Sequence, residues 1–300
     1  MQVEEHASAL GRWRAAQRSV HPQLHPFVRG YLASSSFLPN PVRERRLPSA
    51  EIPLVLNFGE PHRSLDAAEP QKWTRRDGAW VVGLQDRHQL SEAVGERDFL
   101  IVRFTPLGAY CFLRTPMHRI AGRAVELNAF DARLAGLVMS RVGMAANWGD
   151  RFDAMETLIA ERVAQTTVPN GVAWAWRRLE AADGRIPLGS LASEIDCSHR
   201  TLIAQFRRCV GATPKAIARL LRFNRALRSL DGLSRNRGGE SAGKPYIESR
   251  TSNDALAPEV RWADLAADCG YFDQSHFINE FRRFAGAAPT EFLRRMADIG

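Results

Sequence analysis

An α+β chain is predicted, with an N-terminal part of mixed strands and helices followed by an all-α C-terminal part that holds two helix-turn-helix units joined by a connecting helix. Three observations predict it. One pattern is written twice, at an offset of seventy-five residues, near the C-terminal end. Short β-branched and aromatic runs bounded by turn residues lie within the first hundred or so residues. From Pro106 onward apolar residues recur at helical spacing instead. A length of 300 residues suggests two domains, divided at about 1–165 and 166–300.

The strand candidates are residues 52–58 (Ile-Pro-Leu-Val-Leu-Asn-Phe), 79–83 (Ala-Trp-Val-Val-Gly) and 99–104 (Phe-Leu-Ile-Val-Arg-Phe). Turn signals such as Phe58-Gly59-Glu60-Pro61 and Arg76-Asp77-Gly78 separate them. Helices are expected over 108–113, 130–144 and 150–164. The aromatic residues Phe58, Trp80, Phe99 and Phe104 either form core or line one pocket. His21 and His25 have no cysteine or acidic neighbour at ligand spacing, so no metal site is expected there.

A short amphipathic helix, 172–182, brings in the C-terminal part, with Trp176 and Leu179 at i, i+3 as core. The repeat follows, as units at about 187–209 and 261–284. In the first copy Leu191, Ala192 and Ile195 make one apolar stripe, and Leu202 and Phe206 another after the turn Asp196-Cys197-Ser198. In the second, Leu265 leads to Phe277 and Phe281 through a turn one residue longer, Gly270-Tyr271-Phe272. Ser198 and Asp273 stand where a side-chain oxygen can take a free backbone N–H at a helix start. Leu202 pairs with Phe277, Phe206 with Phe281, Gly211 with Gly286 and Pro214 with Pro289, all at one offset. Two short helices joined by a tight turn make a helix-turn-helix.

If the second helix of each unit buries those residues, its opposite stripe faces outward. That stripe is Arg200, Ile203, Ala204 and Arg207 in the first copy and Ser275, Ile278, Asn279 and Arg282 in the second. From Cys197 to Leu230 there are eight Lys or Arg and no Asp or Glu. Such a run suits the neutralisation of phosphates. The net charge of +8 and pI near 9.9 also favour a polyanionic partner, without naming it.

The C-terminal part resembles the DNA-binding domain of the AraC/XylS family of bacterial transcription regulators. The residues that carry the resemblance are Ser198-x-Arg-Thr-Leu-x-x-x-Phe206-x-x-x-x-Gly211-x-x-Pro214, then Arg222-Phe-Asn-Arg-Ala226, then Gly270-Tyr-Phe-Asp-Gln-Ser-His-Phe277-x-x-x-Phe281-x-x-x-x-Gly286-x-x-Pro289. It implies a connecting helix over about 214–230 and two recognition helices in successive major-groove segments, about 34 Å apart on one face of the duplex. Carried over by position, His199, Arg200, Ile203, Ala204, Gln274, Ser275, Ile278 and Asn279 face the bases. Arg200 can donate twice to a guanine edge, and Asn279 or Gln274 can pair with adenine, each worth roughly 1–3 kcal/mol of discrimination. Arg207, Arg208, Lys215, Arg282 and Arg283 are the phosphate candidates. Two departures stand out. Ala204 replaces an arginine that many relatives carry, and 231–258, rich in Gly, Ser and Asn, is longer than the link usual in the family and reads as a flexible excursion.

The run Pro106 to Leu113 resembles, on fewer residues, an effector domain of some regulators of the same family. The resemblance therefore implies an N-terminal domain that binds a small molecule or pairs subunits, as monomer or homodimer. It implies promoter DNA as partner, with RNA polymerase as a further one, and activation as the commoner outcome. No apolar run approaches the roughly 18 residues of a membrane span, and the first residues, with Glu4 and Glu5, form no basic-then-apolar leader, so a cytoplasmic protein is expected.

Cys111, Cys197, Cys209 and Cys269 show no C-x-x-C spacing and read as reduced thiols. No phosphate loop, paired catalytic carboxylates or serine elbow appears, so neither an enzyme nor a cofactor is expected. Two alternatives stay open. One is a DNA-linked enzyme with Cys111 as nucleophile and His118 as base; the other is a protein-interaction module that does not bind DNA.

Overall fold

Among the described residues, nine strands form one antiparallel sheet in the first part of the chain. They are β1 (Gln2–Ser8), β2 (Gly11–Arg18), β3 (Val28–Arg46), β4 (Ile52–Asn57), β5 (His62–Leu65), β6 (Trp73–Arg76), β7 (Ala79–Val82), β8 (Gln89–Phe104) and β9 (Ala124–Glu126). The order is β1-β2-β3-β8-β4-β7-β9, with the β5–β6 hairpin paired to the start of β8. The computed structural model describes residues 1–8, 11–65, 72–195, 197–235 and 260–297.

The three expected strands are β4, β7 and the last third of β8; the others are additional. β3 was hidden by Pro39 and Pro41, which cannot serve a regular ladder, and the register slips between Leu38 and Val42 where they sit. β8 was hidden by its charged first half and by Gly95, which takes φ +77 opposite Leu38. β1 has an exposed residue at every described position, so no apolar alternation marks it.

Period-two alternation sends strand residues to two faces. Leu54 and Leu56 of β4, Val81 of β7, and Leu100, Val102 and Phe104 of β8 enter the main core, while Val55, Trp80 and Phe99 form a separate cluster. The four aromatics therefore do not line one pocket. Phe104 stacks on Phe112 in the main core at 5.0 Å, and Phe58 lies under the Arg151 guanidinium at 4.2 Å. Only Trp80 and Phe99 meet, edge-on at 6.2 Å, with the buried His62 stacked on Trp80 at 5.7 Å. Nearby, the buried Glu44 pairs with Arg97 at 3.0 Å and Arg46 at 3.2 Å. Burial would raise its pKa, but the two guanidinium groups hold it down to about 2.

Helices cover the main-core face: α1 (Pro106–Leu113), α2 (Leu127–Phe130), α3 (Ala132–Gly143) and α4 (Trp148–Val163). The expected helix over 130–144 is α3, which starts at Ala132 because the Asp131 carboxylate caps it by accepting the Leu134 N–H at 2.8 Å.

The C-terminal part is wholly helical among the described residues, with α5 (Asn170–Ala181), α6 (Leu188–Glu194), α7 (His199–Cys209), α8 (Pro214–Arg235), α9 (Trp262–Asp268), α10 (Gln274–Ala285) and α11 (Pro289–Ala297). Trp176 and Leu179 are core residues of α5, as expected. The connecting helix α8 runs past Leu230 to Arg235, so the segment expected to leave the fold at Asp231 begins as helix. Its residues from 236 on lie outside the described residues, as does Asp196 in the first turn. The buried apolar residues of both parts form one continuous cluster, from Ala16 to Phe292.

Candidate nucleic-acid interface

Each repeat copy folds as two helices around a capped turn. The Ser198 hydroxyl accepts the Thr201 N–H at 3.1 Å, and the Asp273 carboxylate accepts the His276 N–H at 2.7 Å. These bonds satisfy N–H groups that have no partner inside the helix and fix where α7 and α10 begin. Gly270 closes α9 with φ +77, and a Cβ there would run into the Arg185 side chain at 2.6 Å. Below the caps, Leu202, Phe206 and Cys209 of α7 and Phe277, Phe281 and Phe284 of α10 are buried, as are Leu191 and Leu265. Ile195 departs from the expected stripe. α6 ends one residue earlier, and Ile195 packs against the core only in part.

Burying that face turns the other outward. His199, Arg200 and Ala204 on α7 and Gln274, Ser275 and Asn279 on α10 are exposed, and Ile203 and Ile278 are half-buried. Arg207, Arg208, Lys215, Arg282 and Arg283 are exposed along the flanks. The expected residues thus come together as two cationic faces, each carrying one isoleucine at its margin.

The first part of the chain holds these helices through contacts that no local pattern marks. Arg283 reaches the Asp86 carboxylate at 2.9 Å. Burial works against the charge on Asp86, yet the bonds from Arg283 and Arg87 hold its carboxyl below the usual range. Arg45 donates to the Ala285 carbonyl at 3.1 Å, a cation at the negative end of α10. Gly286 and Gly211, partners in the repeat, both take positive φ, +78 and +94, and both abut the first part. A Cβ on Gly286 would meet His88 at 2.2 Å, and one on Gly211 would press on the Met117 carbonyl at 3.2 Å. Asn224, inside the quoted motif of α8, accepts the Ala50 N–H at 3.0 Å and donates to the Pro48 carbonyl at 2.8 Å.

Cys111, Cys209 and Cys269 are buried, and burial pushes all three thiols up, Cys111 to about 11. A thiol held protonated in an apolar core is no nucleophile. With His118 exposed on a separate turn, the Cys111 enzyme alternative is contradicted. Cys197, in the turn before α7, is half-buried and its thiol donates to the Ser198 carbonyl at 3.5 Å. His21 accepts the Gln23 N–H and His25 contacts the Val20 carbonyl at 3.0 Å. Among the described residues no group of three His, Cys, Asp or Glu could hold a metal ion, and no helix is long and apolar enough to cross a membrane.

The family described as a domain of unknown function (DUF6597) matches residues 18–126, which span β3 to β9 and α1. No curated protein matches the chain. Solved structures with a similar outline include ToxT from Vibrio cholerae, at 10% identity over 89% of this chain and 99% of that one, with a TM-score of 0.46. ToxT from Vibrio cholerae O395 bound to (E)-4-(8-methylnaphthalen-1-yl)but-3-enoic acid is 11% identical over 87% and 97%, with a TM-score of 0.45. The AraC-like transcriptional activator CuxR is 13% identical over 76% and 86%, with a TM-score of 0.33.

Proposed function

We propose that the chain is a sequence-specific DNA-binding transcription regulator of the AraC/XylS type, in which α7 and α10 read promoter DNA in adjacent major-groove segments. The observation that carries this reading is the repeated unit itself. Two helices begin at equivalent side-chain caps, bury equivalent aromatic and aliphatic residues, and turn outward faces with Arg200, Arg207, Arg282 and Asn279. Arg200, Gln274 and Asn279 are the polar base readers in this account, with Arg207, Arg208, Lys215, Arg282 and Arg283 positioning the protein on phosphates.

The part before α5 is an effector or dimerisation domain in this reading, acting in the cytoplasm on a protein that also meets RNA polymerase. Its bonds to Arg283, Ala285 and Asn224 support such a role, because a change in that part would be felt directly at α8 and α10.

Base readers and phosphate contacts respond differently to truncation. Asn279→Ala is expected to relax preference at one base position, with discrimination there reduced by about 1–3 kcal/mol. Arg282→Ala is expected to weaken binding to all sequences about equally. Binding measured across a library of single-base operator variants distinguishes them. Identical sequence profiles for wild type and Asn279→Ala would remove Asn279 from the base readers. Function left intact after replacing both Arg200 and Asn279 would favour a protein-interaction module that does not bind DNA.

A further inference from the structure

At one position the two copies of the repeat differ in charge. Where the first copy carries the half-buried Gln205, the second carries Glu280, only 6% exposed. Glu280 is bonded to Arg219 of α8, lies 3.9 Å from Arg222 Nη2, and has His276 of its own helix at 3.4 Å. A carboxylate this deep is stable only with cationic partners, and α8 supplies two of them.

The same stretch of α8 is also tied to the loop that leads into the first unit. Arg222 donates to the Gly184 carbonyl at 3.3 Å, and its guanidinium lies over the Tyr271 ring at 5.5 Å. Asp183 accepts from Arg225 at 2.8 Å and from Arg228 at 2.6 Å. Gly184, at φ +73, lies so close to Ala218 that a Cβ would meet the Ala218 carbonyl oxygen at 2.2 Å. One helix thus holds both the entry to the first unit and the second recognition helix, with Arg222 in contact with each.

We propose that Glu280 is the positioning residue that sets α10 in register with the first unit, a role that deepens, and rests on, the DNA-reading assignment above. The apolar contacts of α10 with α8, Phe281 and Phe284 around Phe223, hold the helices together but are tolerant of sliding and rotation. The hydrogen bond from Arg219 is charge-assisted and directional, and with the Arg222 charge 3.9 Å from the other carboxylate oxygen it favours a single register of α10 on α8. The register is then set by α8 directly, whatever the length of chain between α8 and α9. The first unit has a neutral Gln205 at the matching place and is held instead by the Asp183 loop.

The test compares wild type with Glu280→Gln, and with Arg219→Gln as a milder variant, by selection of bound DNA fragments and by hydrogen exchange of the full chain. Glu280→Gln is expected to keep the half-site read by α7, to lose the α10 half-site and the fixed spacing, and to bind two-half-site DNA about tenfold more weakly, near 1.4 kcal/mol. Equal loss at both half-sites, or an unchanged two-part motif, would overturn the proposal. Hydrogen exchange decides it without DNA. Faster exchange across 274–285 with 199–209 unchanged supports it, and unchanged exchange in both variants overturns it. A wild-type protein that selects no motif would count against the DNA reading and leave the exchange result to judge Glu280.

Discussion

Phe281→Ala is expected to lower the unfolding free energy by about 3–5 kcal/mol. Phe281 is fully buried and its ring meets Phe223 at 5.3 Å, Phe292 at 5.4 Å and Phe277 at 5.6 Å. Truncation removes one ring from a four-ring cluster contributed by α8, α10 and α11. Because α8 and α10 are also held elsewhere, by the Glu280 arginines and by Asn224, these walls resist collapse into the space, and the cavity cost adds to the lost transfer energy. Urea unfolding followed by circular dichroism reads the change as a shift in midpoint. A loss below about 1 kcal/mol would mean that the cluster is looser than the ring distances indicate.

The second large effect is that of salt on DNA binding. If Arg207, Arg208, Lys215, Arg282 and Arg283 all neutralise phosphates, affinity should fall about 500-fold between 50 and 200 mM salt, with a log–log slope near −4.5. The bond between Arg283 and Asp86 makes the outcome informative. If that bond persists on DNA, only four cations are available, and the slope drops to about −3.6 and the loss to about 150-fold. Asp86→Ala should then restore the steeper slope. A slope near zero would contradict phosphate contact by these residues altogether.

The helical half was legible because its determinants are local. A cap residue, apolar residues at i, i+4 and a glycine after the helix lie within one stretch of about fifteen residues, and writing the pattern twice let each copy check the other. α8 was read too short because the Gly-, Ser- and Asn-rich composition of 231–258 pointed to an end at Leu230, but one glycine near the end of a helix costs only about 1 kcal/mol. The sheet was less legible. Three central strands showed as apolar runs, whereas β1 and β2 carry polar residues at an edge, and β3 and β8 are carried through prolines and a glycine by irregular pairing. Between core and one shared pocket for the four aromatics, the strand period already favoured core. Phe99 and Phe104 are an odd number of residues apart on one strand and so must point to opposite faces.

The contacts between the two parts of the chain could not have been read at all. Asp86 and Arg283 are 197 residues apart, and nothing local to either marks the other. The nearest signals were Asn224, inside the quoted motif without a role, and the two glycines at matching positions. Each became intelligible once the structure set it against Pro48, His88 or Met117. Glu280 was visible only as the charged partner of Gln205.

The measurement that bears most directly on the central claim is selection of bound genomic DNA fragments by the purified protein at physiological salt, read by sequencing. Two recognition helices carried on one rigid connecting helix predict a motif of two short half-sites about ten base pairs apart. Fragments with no enriched sequence, bound only in proportion to their length, would contradict it.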